Sequence, residues 1–533
     1  MTDTTTYPIG MPREPQEKRR RGGVIAVVAT VVVVVLIAGG GFAAWRFLAG
    51  DGPRPAEVLP TSTFAVVSVD LDPAGGQKLE AIRTLRKIPS FREHSGITAD
   101  SDLVKELFDA SIGRDCKNLS YATDVKPWIG LRAAAAGVEL ADKKPVLAVV
   151  VQVKDRDAAQ KGFTQIQQCA EKQKSPFGFA VGQDYVVVTD TTAHAGEILA
   201  AGVKTPLSQS PEYQKWTESA GGAGVVNAYA APQLPQVAGD LIAQELGAGV
   251  FGGTAKSGKG KATGPGAELT QALKGFRGAA AVLRFHDSGL ELSFAGGTAS
   301  PVSAGPSVGD HVAALPKDTV VVLAGATNAQ SLNRLKSQLG GGAAAGLGAD
   351  PGRIVEQLTG LRFPQDVATL LGTSFSVSLG GDAPRDLTRI KDPRDLPFGV
   401  LVHGNAPRIK GLVARVEART GQRLSSIPAT LKSTNGKVAL ASSPSYAADL
   451  LRSGSLGDED SFKNAVPHAA DSPFVVYASL SDSWSTAIAD AVRRQGGKDG
   501  AEIAADVKAL DALGLSTWTK DGDSHGLLRV TLK

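Results

Sequence analysis

The sequence predicts an α+β fold: two tandem related domains with largely antiparallel sheets plus helices, preceded by one transmembrane helix. Three observations predict it. A charge-free apolar run stands near the start, an ordered set of segments after it occurs twice, and each set mixes short β-rich runs with helical ones. At 533 residues the chain exceeds what one compact core holds, so two or more domains are expected.

The apolar run comes first. From Gly22 to Trp45 there is no charged residue, and Val24–Leu36 is almost entirely Val, Ile and Ala. A helix of roughly 22 residues at ~1.5 Å per residue spans about 33 Å, enough for a ~30 Å hydrocarbon core. In lipid the backbone must satisfy its own hydrogen bonds, so the modest helix propensity of Val does not decide the matter. Lys18-Arg19-Arg20-Arg21 abuts the start of the run, only Arg46 and Arg54 follow closely, and Trp45 and Phe47 stand where an interfacial aromatic belt would lie. The positive-inside rule then makes residues 1–21 a disordered basic cytoplasmic tail and residues 22–48 a single-pass helix in the cell membrane. The lipid bilayer is its partner through residues 23–45, and the bulk of the chain is extracytoplasmic. A cleaved signal peptide is the alternative, but the run is long for one and Gly41-Phe42-Ala43 is a poor cleavage site. Export follows from either.

Export bears on the cysteines. Cys116 and Cys169 are the only two, an even number suited to an oxidising compartment. A bridge between them closes a loop of about 53 residues and is worth ~4 kcal/mol on the chain-entropy account. Their spacing fits no zinc site and no C-x-x-C redox motif, so a structural disulfide is expected, with two free thiols as the alternative.

The outer region reads as two copies. Leu59–Val67 is similar to Leu315–Leu323, Asp124–Gly130 to Asp366–Gly372, and Pro145–Val150 to Pro397–Val402. Tyr185–Val188 is similar to Lys437–Leu440, Val225–Tyr229 to Val475–Ser479, and Gly289–Leu292 to Gly526–Arg529, always in the same order. The first copy also carries Gly252–Gly266, a Gly/Lys/Thr/Ser stretch that reads as a flexible insert. Domains are therefore expected over 55–296, with the insert at 252–266, and over 310–533, joined by the Gly/Ser/Pro-rich segment Gly296–Gly309.

Within a copy, Phe64–Asp70, Val146–Val153, Tyr185–Thr189, Val225–Tyr229, Gly278–Phe285 and Leu290–Phe294 are strand-like runs bounded by turn residues. Asp155 is an N-cap signal, and Ala159, Phe163, Ile166 and Ala170 then fall on one helical face. His194–Ala201 and Leu234–Leu246 are further helical runs. Hairpin spacing between strands, without a regular β-α-β rhythm, points to antiparallel pairing.

Together these residues resemble the family known as domain of unknown function 3352, membrane-anchored proteins of high-GC Gram-positive bacteria. The resemblance rests on the basic tail with one helix, the Leu59-Pro60 strand opening, Asp70-Leu71-Asp72-Pro73, Asp124–Gly130 and Leu207-Ser208-Gln209-Ser210. It spans nearly all of residues 55–533. It implies the architecture and carries no activity with it.

No motif implies catalysis, a cofactor or a metal. Gly522-Asp523-Ser524-His525-Gly526 has the G-x-S-x-G pattern, but only a strand-like Leu527–Lys533 follows, without the later acid and His of a hydrolase triad. Gly253–Gly260 is one residue from a P-loop, with Gly260 in place of the Ser or Thr that binds Mg²⁺, and no strand precedes it. Gly247–Gly252 has G-x-G-x-x-G spacing but follows a helical run. The seven His residues (His94, His194, His286, His311, His403, His468, His525) have no i, i+3 or i, i+4 pair. Asp70 and Asp72 read as caps of a strand end. A net charge of +4 and 5% aromatics disfavour nucleic acid. The expectation is an extracytoplasmic, non-enzymatic protein that binds or scaffolds an envelope protein, glycan or lipid. A hydrolase with a site assembled from distant residues and a carrier of an apolar ligand are the other readings.

Overall fold

The computed structural model describes residues 54–71, 75–94, 112–173, 176–237, 274–298 other than 288, 305–328, 351–381, 396–421, 429–495 and 500–533, with a few single residues between. The tail and anchor expected over 1–48, the insert 252–266 with its P-loop-like segment, Gly247–Gly252 and Asp72 lie outside the described residues. Among the described residues no helix is long and apolar enough to cross a membrane.

The first half holds strands β1 (Thr63–Asp70), β2 (Ile129–Glu139), β3 (Pro145–Val153), β4 (Gly178–Val181), β5 (Tyr185–Thr189), β6 (Val226–Ala230), β7 (Phe276–His286) and β8 (Gly289–Thr298). Its helices are α1 (Gly75–Leu85), α2 (Pro89–His94), α3 (Ile112–Asp115), α4 (Arg156–Lys172), α5 (Thr192–Lys204) and α6 (Pro211–Ser219). The second half holds β9 (Thr319–Ala326), β10 (Ser374–Gly380), β11 (Phe398–His403), β12 (Thr430–Thr434), β13 (Lys437–Ala441), β14 (Phe474–Ser479), β15 (Leu510–Lys520) and β16 (Asp523–Leu532). Its helices are α7 (Gly309–Ala313), α8 (Pro351–Thr359), α9 (Gln365–Leu371), α10 (Ala406–Thr420), α11 (Pro444–Leu451), α12 (Asp460–Ala465), α13 (Asp482–Gln495) and α14 (Gly500–Ala509).

The sequence led us to expect a sheet in each copy. The structure instead has one sixteen-stranded sheet, in the order β4-β5-β3-β2-β1-β6-β7-β8-β16-β15-β14-β9-β10-β11-β13-β12. Each half has the same strand order, and the halves meet through the antiparallel β8–β16 ladder, from Leu290↔Val530 to Gly296↔Ser524. The physical reason lies in the edges. Alone, each half would end on a ten-residue strand with an open row of backbone groups, and pairing the two removes both edges.

Alternation along the strands gives the sheet two packed faces. On one face, α5 and α6 bury Val66, Ala136, Val150, Tyr229 and Val282 in the first half. α7, α11 and α12 bury Val322, Leu401, Ala439 and Tyr477 in the second. On the opposite face α4 covers Val149, Val153, Val186 and Val188 with Ala159, Phe163 and Ile166, as its predicted spacing required. Asp155 Oδ1 accepts the Ala158 N–H at 2.9 Å, the expected N-cap. Asn405 caps α10 in the same way in the second half, through Arg408 N–H at 3.0 Å.

The halves correspond residue by residue in their cores. Leu59 and Leu315 are fully buried, and their carbonyls accept the N–H of Leu207 at 2.7 Å and of Leu456 at 3.1 Å. Tyr229 meets Tyr213 edge-on at 5.1 Å, and Tyr477 meets Phe462 edge-on at 5.1 Å. These ladders correct three sequence alignments. Val150 corresponds to Leu401, since they face Val187 and Ala439, and not to Val402. Tyr229 corresponds to Tyr477, since they face Val66 and Val322, and not to Ser479. Gly289 corresponds to Asp523, the residue that closes the second hairpin, and not to Gly526. Gly526 has a packing role instead, because a Cβ there would enter the ring of Phe294. Short apolar runs slide past one another in sequence at no cost, whereas hydrogen-bond register fixes the match.

Candidate functional site

The seam between the halves gathers polar side chains that the sequence keeps far apart. Its floor is β8 and β16, and the β7–β8 and β15–β16 hairpins bring up the remaining groups. Two residues from the hairpin turns, Arg284 faces Glu291 across β7–β8, and Trp518 faces His525 across β15–β16. Equivalent positions thus hold an ion pair in one half and a ring pair in the other.

Glu291, 5% exposed, is held between guanidinium groups from both halves. Arg284 Nε lies 2.9 Å from its Oε1, and Arg529 Nε donates to its Oε2 at 3.1 Å. Arg284 also donates to the Gly221 carbonyl at 2.8 Å and to Ser293 Oγ at 2.7 Å, so it caps the carbonyl end of α6. Arg529 donates to the Asn464 carbonyl, in the last turn of α12, at 3.0 Å. A second carboxylate, Asp523, is 6% exposed. It pairs with Arg277 and with Lys215 Nζ at 2.7 Å. Lys215 Nζ also sits 4.3 Å from the ring centroid of Trp216, whose Nε1–H donates to the Arg277 carbonyl at 3.0 Å.

Above this floor Trp518 is sandwiched, with His468 at 4.1 Å and His525 at 5.6 Å between ring centroids. Burial holds the His525 imidazole below its usual pKa, which keeps it neutral. Each carboxylate of the seam pairs with two cations, at least one of them from the other half, and the seam acts as a polar clasp between two apolar cores.

A second cluster lies in the second half. His311 of α7 and His403 at the end of β11 stack at 3.7 Å with planes 8° apart, and His311 Nδ1 is 2.7 Å from Ser374 Oγ. Burial pushes the His403 pKa down to about 4, helped by His311 and Lys437, and burial also lowers that of His311. A serine beside an imidazole is a nucleophile–base geometry. Here Ser374 is only 2% exposed, and the neighbour of the base is a stacked ring where a triad would place an orienting carboxylate.

The structure places the sequence-expected residues plainly. Cys116 and Cys169 are bonded, Cα atoms 6.0 Å apart, in a core with Phe108, Tyr121 and Trp128. Asp70 Oδ2 accepts from Arg132 Nε at 3.0 Å across β1–β2, so it serves an ion pair. Of the G-x-S-x-G segment, Gly522 lies in a two-residue turn, Asp521-Gly522, with φ of 53° and 78°, and Asp523-Ser524-His525-Gly526 opens β16. Among the described residues no group of three or more His, Cys, Asp or Glu side chains is placed to hold a metal. Sequence spacing missed both histidine clusters, because strand pairing rather than local periodicity brings His403 to Ser374 and His525 to Trp518.

No curated protein and no solved structure matches the chain. A family model does match it over residues 26–399, which runs through the whole first half and stops inside β11. The chain belongs to the family described as Protein of unknown function (DUF3352).

Proposed function

We propose that this chain is a membrane-anchored extracytoplasmic protein with a non-enzymatic binding or scaffolding role at the cell envelope. The observation that supports it most is the union of the two halves into one sheet across a seam of ion pairs that join one half to the other. Sixteen strands at ~4.8 Å spacing give a platform about 70 Å across along the hydrogen-bond direction. Such a platform offers surface to a protein, glycan or lipid partner. The apolar run at 23–45 supports tethering of the platform beside a bilayer. To test this, the full chain would be crosslinked in its native membrane and its partners recovered. One envelope component recovered reproducibly is expected; only nonspecific membrane proteins would defeat the reading.

A second reading, a carrier of an apolar ligand, has its own observation. On the face opposite α5 and α6, paired residues form an unbroken apolar row: Val400, Val377, Leu323, Val476, Leu515, Leu528, Leu292, Leu283, Val226. Next to it, Val321 and Phe398 are 39% and 46% exposed. Helices α1 and α10 pack on the two ends of the row, at Val226 and Val400. Native mass spectrometry of the full chain in mild detergent, with lipid extraction, distinguishes this reading. A stoichiometric apolar adduct is expected if it holds, and a bare protein mass removes it. The hydrolase reading has the least support, since Ser374, which pairs with His311, is buried.

A further inference from the structure

We propose that the His311–His403 stack is a pH-sensitive latch that holds α7, the first helix of the second half, on the ends of β10 and β11. The two imidazoles lie nearly parallel, with centroids 3.7 Å apart. His311 reaches down to Ser374 Oγ at 2.7 Å. His403 stands across the ladder from Ser374 on one side and from Lys437 on the other. The stack therefore ties one helix to two strands, β10 and β11.

Face-to-face contact at this distance suits two uncharged rings, and two imidazoliums so placed repel. The charged neighbours deepen the preference. Lys437 of β13 opposes a positive charge on both rings, and Asp310 of α7 favours one on His311 alone. Burial opposes both charges. Proton uptake is thus coupled to parting of the rings. The rest of α7 stays anchored, because Val308, Val312 and Leu315 are fully buried. What opens is the polar side of the helix, and with it the cover over Ser374, now 2% exposed.

Hydrogen–deuterium exchange on the full chain tests this at about pH 7 and about pH 4.5, after correction for intrinsic exchange rates. Protection over residues 373–375 and 402–404, beneath the stack, should fall at least ~tenfold on acidification, while β1 and β2 keep theirs. In His403→Phe, which keeps a flat ring without a titratable group, the fall should disappear. Equal loss in the variant and the natural protein, or no loss in the natural protein, overturns the latch. Should His403→Phe not fold, imidazole proton shifts of the natural protein decide: titration of either ring at or above the ordinary ~6.5 overturns it, and titration of both below that supports it.

Discussion

At the scale of single residues, the seam makes the sharpest demand. Glu291 is the one carboxylate shared by Arg284 and Arg529, one from each half. Glu291→Gln leaves two largely buried guanidiniums short of a counter-charge, a change that costs about 3 kcal/mol. Chemical denaturation should show a midpoint shift of that size, and a loss below ~0.5 kcal/mol would mean the clasp is not energetically coupled. Gly202 and Gly454 make a different demand. Each lies against a backbone carbonyl, that of Val58 or Leu315, with no room for a Cβ. Backbone cannot swing aside as a side chain can, so Gly202→Ala or Gly454→Ala should each cost ~2–3 kcal/mol, read as a lowered thermal midpoint.

At the scale of elements, two devices fasten segments to the sheet. The Cys116–Cys169 bridge ties the chain after α3 to the last turn of α4. On the chain-entropy account its reduction should destabilise the protein by ~4 kcal/mol, seen as a denaturant midpoint that falls when reductant is added. A midpoint unchanged by reductant would remove the bridge from the stabilising interactions. The histidine stack fastens α7 and makes stability depend on pH. Both imidazoles have folded pKa values below their unfolded value, His403 at about 4. The unfolded chain takes up protons near pH 6.5 and the folded chain does not, so stability is full above that pH and is lost as pH falls towards 4. His525, also held low by burial, adds loss in the same direction. Denaturation at several pH values should show this slope, and His403→Phe should flatten it. A midpoint independent of pH in that window would contradict it.

At the scale of the whole molecule, the continuous ladder makes a statement about cooperativity. β8 and β16 pair over seven residue positions, and contacts beyond the sheet cross between halves as well. The Ser90 N–H donates to Asp506 of α14 at 2.9 Å, and Lys87 Nζ donates to the Leu532 carbonyl at 3.2 Å. A chain built this way should unfold in one calorimetric transition rather than as two independent units. Two resolved transitions would show the seam to be weaker than its hydrogen bonds suggest.

The sequence by itself determined the local elements. Strand runs such as Tyr185–Thr189, the α4 face of Ala159, Phe163, Ile166 and Ala170, and the Asp155 cap depend on neighbours a few residues apart, and side-chain periodicity reports those directly. It also showed the ordered recurrence of segments. Only the tertiary structure decided that the two sets share one sheet, because edge pairing of β8 with β16 depends on register between strands more than 200 residues apart. It alone decided which of several sliding alignments holds, as with Tyr229 and Tyr477. It alone brought Glu291 to Arg529, and His311 to His403. Those contacts arise when distant strands stack a charge on a charge or a ring on a ring, and no spacing along the chain encodes them.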